Sequence, residues 1–279
     1  MRLKYIAFLL LPLSGSLLGQ TQIGGGTCNS SSLSGAYTMT MSGRQVASSG
    51  AFTGLFQANG TASFDGTSKV TLTMTASTIT AAGTPLVYSG TYSVQSNCGG
   101  TITLTTGDSA TLNLLVYNQG KDFLLTGNDA SYTYSGSGST QPATCSASLL
   151  SGVYVFNATG FTLASGAISG AVDAAGSMQL DGHSSLIVTL TAAVAGQAPV
   201  TQSLTGTYNL PSGCSGTGTV TNSLGTTYSV ALTVSSGSAV ATTGFDVVVG
   251  QANTVLFTGA AHAVYGQPTA TAAVAGGAQ

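Results

Sequence analysis

The 279-residue chain has no glutamate and no tryptophan, and its lysines and arginines together number five. So few cations cannot form a basic patch, which excludes nucleic acid and an anionic membrane surface as partners. Hydrolysis and proton transfer normally use positioned His, Asp, Glu or Lys groups, and after Lys121 there is no further Lys, Arg or Glu. The chain is therefore read as non-enzymatic. The missing tryptophan also weakens any case for sugar stacking. There are four cysteines, none closely spaced as zinc sites require, so neither a metal nor a cofactor is expected. Low charge is not disorder here. Disorder needs low hydrophobicity together with high net charge, whereas 43% of these residues are hydrophobic.

Arg2 and Lys4 precede a short apolar core, Tyr5 to Leu13, and the small residues Ser14, Gly15, Ser16 and Gly19 follow it. This order reads as a signal peptide over residues 1–19. Its apolar core is shorter than the roughly 20 residues needed to cross a bilayer. The expected location is secreted, periplasmic or at the cell surface, with no membrane span after cleavage. Without Arg2 and Lys4, three cations face seven aspartates, a formal charge of −4.

The chain repeats itself. "CNSSSLSGAY" at Cys28 matches "CSASLLSGVY" at Cys145, an offset of 117. "SGAFTGLFQANGTASFDG" at Ser49 matches "SGAISGAVDAAGSMQLDG" at Ser165, an offset of 116. Gly90-Thr-Tyr and Gly206-Thr-Tyr keep the step of 116, as do Cys98 and Cys214. Near the end of each copy the offset is 123, which implies a longer loop in the second. A period this long is domain-sized rather than a solenoid unit. The expected units are residues 28–144 and 145–267, joined through the Gly/Ser/Pro-rich stretch Ser135 to Cys145, which reads as a flexible linker. Residues 268–279 read as a disordered tail.

Each copy carries strand patterns. Val70, Leu72 and Met74 alternate with threonines, as do Leu186, Val188 and Leu190, the mark of half-buried strands. The stretches from Thr101 and Thr111 fit as well. Asn59-Gly60, Asp65-Gly66, Gly107-Asp108, Asn118 to Gly120, Gly127 to Asp129 and, in the second copy, Asp181-Gly182 read as turns. No stretch shows a sustained helical period. The fold class is all-β, two tandem antiparallel barrels of about eight strands each, since closure removes exposed edges. Two Greek-key sandwiches are the alternative. The phrases "LSGxY", "DG" and "GTY" followed by Cys resemble exported bacterial tandem β-barrel domains, similar in shape to lipocalin (calycin) and allene-oxide-cyclase barrels. That resemblance implies a fold and no catalytic residues.

Four cysteines in an exported chain allow three pairings. A duplicated domain carries its bridge with it, which selects Cys28–Cys98 and Cys145–Cys214. Loops of about 70 residues closed in this way are worth roughly 4 kcal/mol in the chain-entropy model. Asp65 and Asp181 occupy equivalent positions and read as turn residues. His183 has Thr67 as its counterpart, and His262 has no acidic neighbour in sequence, so both read as surface histidines. Asn29, Asn59 and Asn157 begin glycosylation-like triplets that a Ser/Thr-rich chain produces by chance. Tyr37, Tyr92, Tyr154 and Tyr208 recur at matched positions and are candidates either for lining a pocket or for packing beside strand glycines.

Two functions fit. The first reading is a structural or surface protein of adhesion type, with filled barrels that meet a cell-surface component, since the sequence shows no polar cluster to fix a ligand. The alternative is a lipocalin-like module for a small apolar ligand. Phe52, Gly54 and Phe56 favour a filled first barrel, whereas Ile168, Gly170 and Val172 leave more room in the second. A membrane-spanning barrel would need aromatic girdles and longer strands. Tryptic digestion without reduction is expected to join the Cys28 peptide to the Cys98 peptide, and to leave Cys145 and Cys214 together on the peptide that follows Lys121. A cross-link between the Cys98 peptide and that last peptide would contradict the pairing.

Overall fold

The computed structural model describes residues 27–46, 52–107, 109–129, 132–142, 145–165, 167–211, 214–237, 242–252 and 254–264. The expected signal peptide, residues 1–19, and the expected disordered tail, residues 268–279, lie outside the described residues. The chain forms two closed eight-stranded barrels, and every neighbouring pair of strands is antiparallel. The first barrel comprises β1 (Ser34–Val46), β2 (Phe52–Asp65), β3 (Lys69–Thr78), β4 (Thr84–Val94), β5 (Gly99–Thr106), β6 (Thr111–Tyr117), β7 (Asp122–Asn128) and β8 (Tyr132–Thr140). The second comprises β9 (Gly152–Ala164), β10 (Ala167–Leu180), β11 (Ser185–Val194), β12 (Val200–Asn209), β13 (Ser215–Asn222), β14 (Thr227–Gly237), β15 (Thr242–Gln251) and β16 (Val255–Ala263). Among the described residues the only helical elements are three 3-10 turns, and no helix is long and apolar enough to cross a membrane.

Alternation along the strands builds the core. In β3, Val70, Leu72 and Met74 are buried inside the barrel while Thr71 and Thr73 face out. β11 does the same with Leu186 and Val188. Each barrel has its own apolar core. Cys28 pairs with Cys98 and Cys145 with Cys214, with Cα–Cα distances of 4.9 and 5.1 Å. Two intact disulfides suit an oxidising compartment.

Three features differ from the sequence reading. Ser135 to Thr140 is not linker, because Tyr132–Thr140 is the strand that closes the first barrel between β1 and β7. Its small residues answer to crowding, since a Cβ on Gly136 would overlap the Thr40 carbonyl oxygen. Asn59-Gly60 is not a turn but lies in the middle of β2. A Cβ on Gly60 would strike the backbone of Thr73 and Met74, and Gly176 stands in the same relation to Thr189 and Leu190. These glycines let adjacent strands approach closely where the sheet curls. The extra length of the second copy is also shared among three turns. Gly99 pairs with Leu115 and Ser215 with Thr233, an offset of 118 on the partner strand. Leu125 then corresponds to Val247, an offset of 122, and Gly136 to Gly259, an offset of 123.

The barrels pack side by side through their outer faces. Leu55 of β2 joins Ala231, Val248 and Leu256 of the second barrel in one buried cluster, with Ile79, Phe161 and Ile168 against it. Asn59, 2% exposed, donates from Nδ2 to the carbonyls of Ala231 (2.9 Å) and Asp246 (3.4 Å). A buried amide is tolerated only with such partners, so Asn59 fixes the register of the two barrels.

Gly60→Ala is expected to lower unfolding stability by about 1–3 kcal/mol through overpacking, read as a lower guanidinium midpoint. An unchanged midpoint would show that the strands can part at no cost.

Candidate functional site

Each barrel is closed at the end that holds its disulfide. In the first, the 3-10 turn Ser30–Ser32 and the fully buried Leu33 cap the barrel. The Tyr92 hydroxyl lies 2.9 Å from the carbonyl oxygens of both Ser30 and Leu33, and Tyr37 donates to the Gly120 carbonyl at 2.6 Å. In the second, the 3-10 turn Ala147–Leu150 inserts Leu149 and Leu150. Tyr154 donates to Leu149 O at 3.4 Å and Tyr208 to Ala147 O at 3.5 Å. Burial pushes both phenols up to about 12, so they stay protonated donors. Tyr92, Tyr154 and Tyr208 thus hold the plugs, Tyr37 ties down the Asn118–Gly120 turn, and none of the four lines the cavity described next.

The opposite ends differ. In the first barrel Phe56 meets Tyr134 edge-on at 5.6 Å, Tyr132 and Tyr134 stack at 6.0 Å, and Tyr134 donates to the Asp129 carboxylate. Among the described residues the space beside them is about 20 Å³. The second barrel encloses a cavity of about 210 Å³. The pairing registers equate Phe56 with Val172, Tyr132 with Val255, Tyr134 with Phe257, and Met41 with Ala158. Every one of these exchanges removes side-chain volume from the second barrel, and all four counterparts line its cavity. Val188, Val230, Val247 and Val249 continue the apolar wall, while Thr162, Gln202, Tyr228 and Thr254 supply the polar groups.

Sequence reading had found part of this contrast in Phe56 against Val172. Phe52, its other member in the first copy, has a side chain outside the described residues. Ile168 does not face the cavity. The register shifts between Ile168 and Gly170, and the bulge turns Ile168 onto the cluster between the barrels. The exchange of Tyr132 for Val255 was missed. It lies beyond the insertion, where a fixed offset of 116 no longer aligns the copies.

The titratable groups stand apart from the cavity. The Asp65 Oδ1 accepts from the backbone N–H groups of Thr67, Ser68 and Lys69 at 2.8 to 2.9 Å, and Asp181 Oδ1 does the same for His183, Ser184 and Ser185. A carboxylate that accepts several N–H bonds is favoured in its charged form. The bond from the His183 N–H leads in lowering Asp181 to about 2, and hydrogen bonds from Thr67 and Lys69 hold Asp65 lower still. His183 is exposed within its turn, with Nδ1 3.2 Å from the Asp181 carbonyl oxygen, so the pair forms no catalytic dyad. His262 is exposed on β16. Asp246, on the outer face of β15 near the inter-barrel contact, is raised to about 6 by burial, with His262 opposing that shift. Among the described residues no three His, Cys, Asp or Glu side chains gather as a metal site.

The fold and cavity define the class: a tandem pair of disulfide-closed, eight-stranded antiparallel barrels, one filled and one hollow. No protein-family model matches the chain, and no curated protein is significantly similar to it.

A raised carboxyl favours the protonated folded state. Its stabilising contribution is complete below about pH 4, the unfolded value, and is lost as pH rises through about 6. Asp246→Asn is therefore expected to raise stability at pH 8 by about 1–2 kcal/mol and to have little effect at pH 4. Equal effects at both pH values would exclude this origin.

Proposed function

We propose that the chain is an exported, non-enzymatic binding protein whose second barrel takes up a small apolar ligand, in the manner of lipocalin-shaped barrels. The supporting observation is the contrast in filling: about 210 Å³ in the second barrel against about 20 Å³ in the first. An eight-stranded barrel is just wide enough either to be packed by side chains or to hold one small ligand. A cavity walled by valine, leucine and phenylalanine favours apolar guests, and an engineered apolar cavity of about 150 Å³ takes up benzene. The plug and disulfide close the far end, so ligand enters through the end lined by Thr162, Val194, Gln202 and Thr254.

A surface or adhesion role fits the first barrel. Its interior is filled, and its outer face carries Leu55 and Asn59 onto the second barrel. In this reading the first domain is a rigid mount for the binding domain, and its remaining surface meets a cell-surface component.

Native mass spectrometry of the protein exported by its own host is expected to show a small neutral adduct. The double variant Val172→Phe, Val255→Tyr restores the first barrel's filling and should lose that adduct while remaining folded. A clean unliganded mass for the unaltered protein, or an adduct that persists in the folded double variant, would contradict the proposal.

A further inference from the structure

The hollow barrel carries two polar wall groups that the filled barrel lacks. Met74 pairs with Leu86 and Leu190 with Gln202, so Gln202 of β12 stands where the first copy has Leu86. Ile102 pairs with Leu112 and Gly218 with Val230, so Tyr228 of β14, two residues before Val230, stands where the first copy has Ala110. Leu86 packs against the first core, and Ala110 is buried within it. Gln202 and Tyr228 both line the cavity of the second barrel. Filling explains neither exchange. Glutamine occupies about the space of leucine, and tyrosine for alanine adds bulk to a barrel that the other exchanges empty.

These two groups also have hydrogen-bonding capacity to spare. The other polar residues of the wall are engaged with the chain. Thr162 donates to the Gly170 carbonyl at 3.3 Å and accepts from Ser169 Oγ at 3.1 Å, and Thr254 donates to the Ala252 carbonyl at 3.4 Å. Among the described residues neither the Gln202 amide nor the Tyr228 hydroxyl has a hydrogen-bond partner. Neither is sealed off, because the only side-chain polar atom both buried and unpaired among those residues is Gln251 Oε1. Both side chains are half-buried and border the cavity. A polar group set on an apolar wall is costly unless something hydrogen-bonds to it.

We propose that the ligand of the second barrel is an apolar molecule with one uncharged hydrogen-bonding group, such as a hydroxyl or carbonyl, bonded to the Gln202 amide or the Tyr228 hydroxyl. This rests on the cavity's being a ligand site. An amide and a phenol each donate and accept, so either kind of group is served. The group is uncharged because no charged side chain lines the cavity and the second copy contains no lysine or arginine. A carboxylate there would be desolvated without a counter-ion. Scaled from benzene in a cavity of about 150 Å³, the space takes about eight heavy atoms.

The test is calorimetric titration of the oxidised full chain at pH 7.5 with p-xylene, p-cresol and p-toluate. The first two have the same shape and differ by one hydroxyl in place of a methyl group, and the third carries a carboxylate. The unaltered protein is expected to bind p-xylene and p-cresol, and p-toluate at least tenfold more weakly than p-cresol. In the double variant Gln202→Leu, Tyr228→Phe, the xylene-to-cresol affinity ratio should rise about tenfold, the effect of leaving one buried hydroxyl unpaired. The p-xylene affinity itself should stay within about twofold, which also shows that the variant is folded. If the double variant does not fold, the ratio should rise in at least one of the single variants Gln202→Leu and Tyr228→Phe. A ratio unchanged in the folded variants, or p-xylene binding without p-cresol in the unaltered protein, would overturn the role of Gln202 and Tyr228 and leave the apolar site standing. Binding of p-toluate as tight as that of p-cresol would overturn the exclusion of charge. Failure of all three probes would overturn both this inference and the reading beneath it.

Discussion

A closed barrel of eight strands has an interior volume set by its backbone, and inward side chains must occupy that volume or leave it empty. Both copies meet this constraint with the same strand number, the same antiparallel order and closely matched registers. What differs is the set of side chains directed inward. Phe56, Tyr132, Tyr134 and Met41 fill the first barrel, whereas Val172, Val255, Phe257 and Ala158 leave the second open. Because protein interiors pack densely, a space of about 210 Å³ in one of two otherwise equivalent domains is a specific property of that domain.

The opposite end of each barrel explains why the cavity can persist. Cys28–Cys98 and Cys145–Cys214 fix the entering segment across the barrel end, and a 3-10 turn directs Leu33, or Leu149 and Leu150, into the core. Tyrosine hydroxyls then donate to carbonyls of these turns. With that end fixed and satisfied, the other end is free to vary between a stacked aromatic filling and an open mouth. The shared face between the barrels, pinned by the buried Asn59 amide, keeps the hollow domain in one orientation beside the filled one.

Much of this was legible in the sequence because duplication supplies an internal comparison. The step of 116 to 117 residues paired the cysteines and matched the tyrosines, and alternation in β3 and β11 marked the inward faces. What escaped depended on neighbours distant in the chain. Asn59-Gly60 has the composition of a turn, yet Gly60 is required by the Thr73 backbone and Asn59 by carbonyls of the other barrel. The Gly/Ser stretch after Ser135 has the composition of a linker, yet its glycines fit a strand with no space for a Cβ. The Tyr132–Val255 exchange lay past an insertion divided among three turns.

The central claim is that the two barrels differ in empty interior space. Crystals of the full oxidised chain under xenon pressure test it directly, since xenon enters dry apolar cavities without requiring any particular ligand chemistry. The expected result is xenon density between Val172, Val188 and Val247 of the second barrel and none inside the first. Xenon in neither barrel, or equally in both, would contradict the claim.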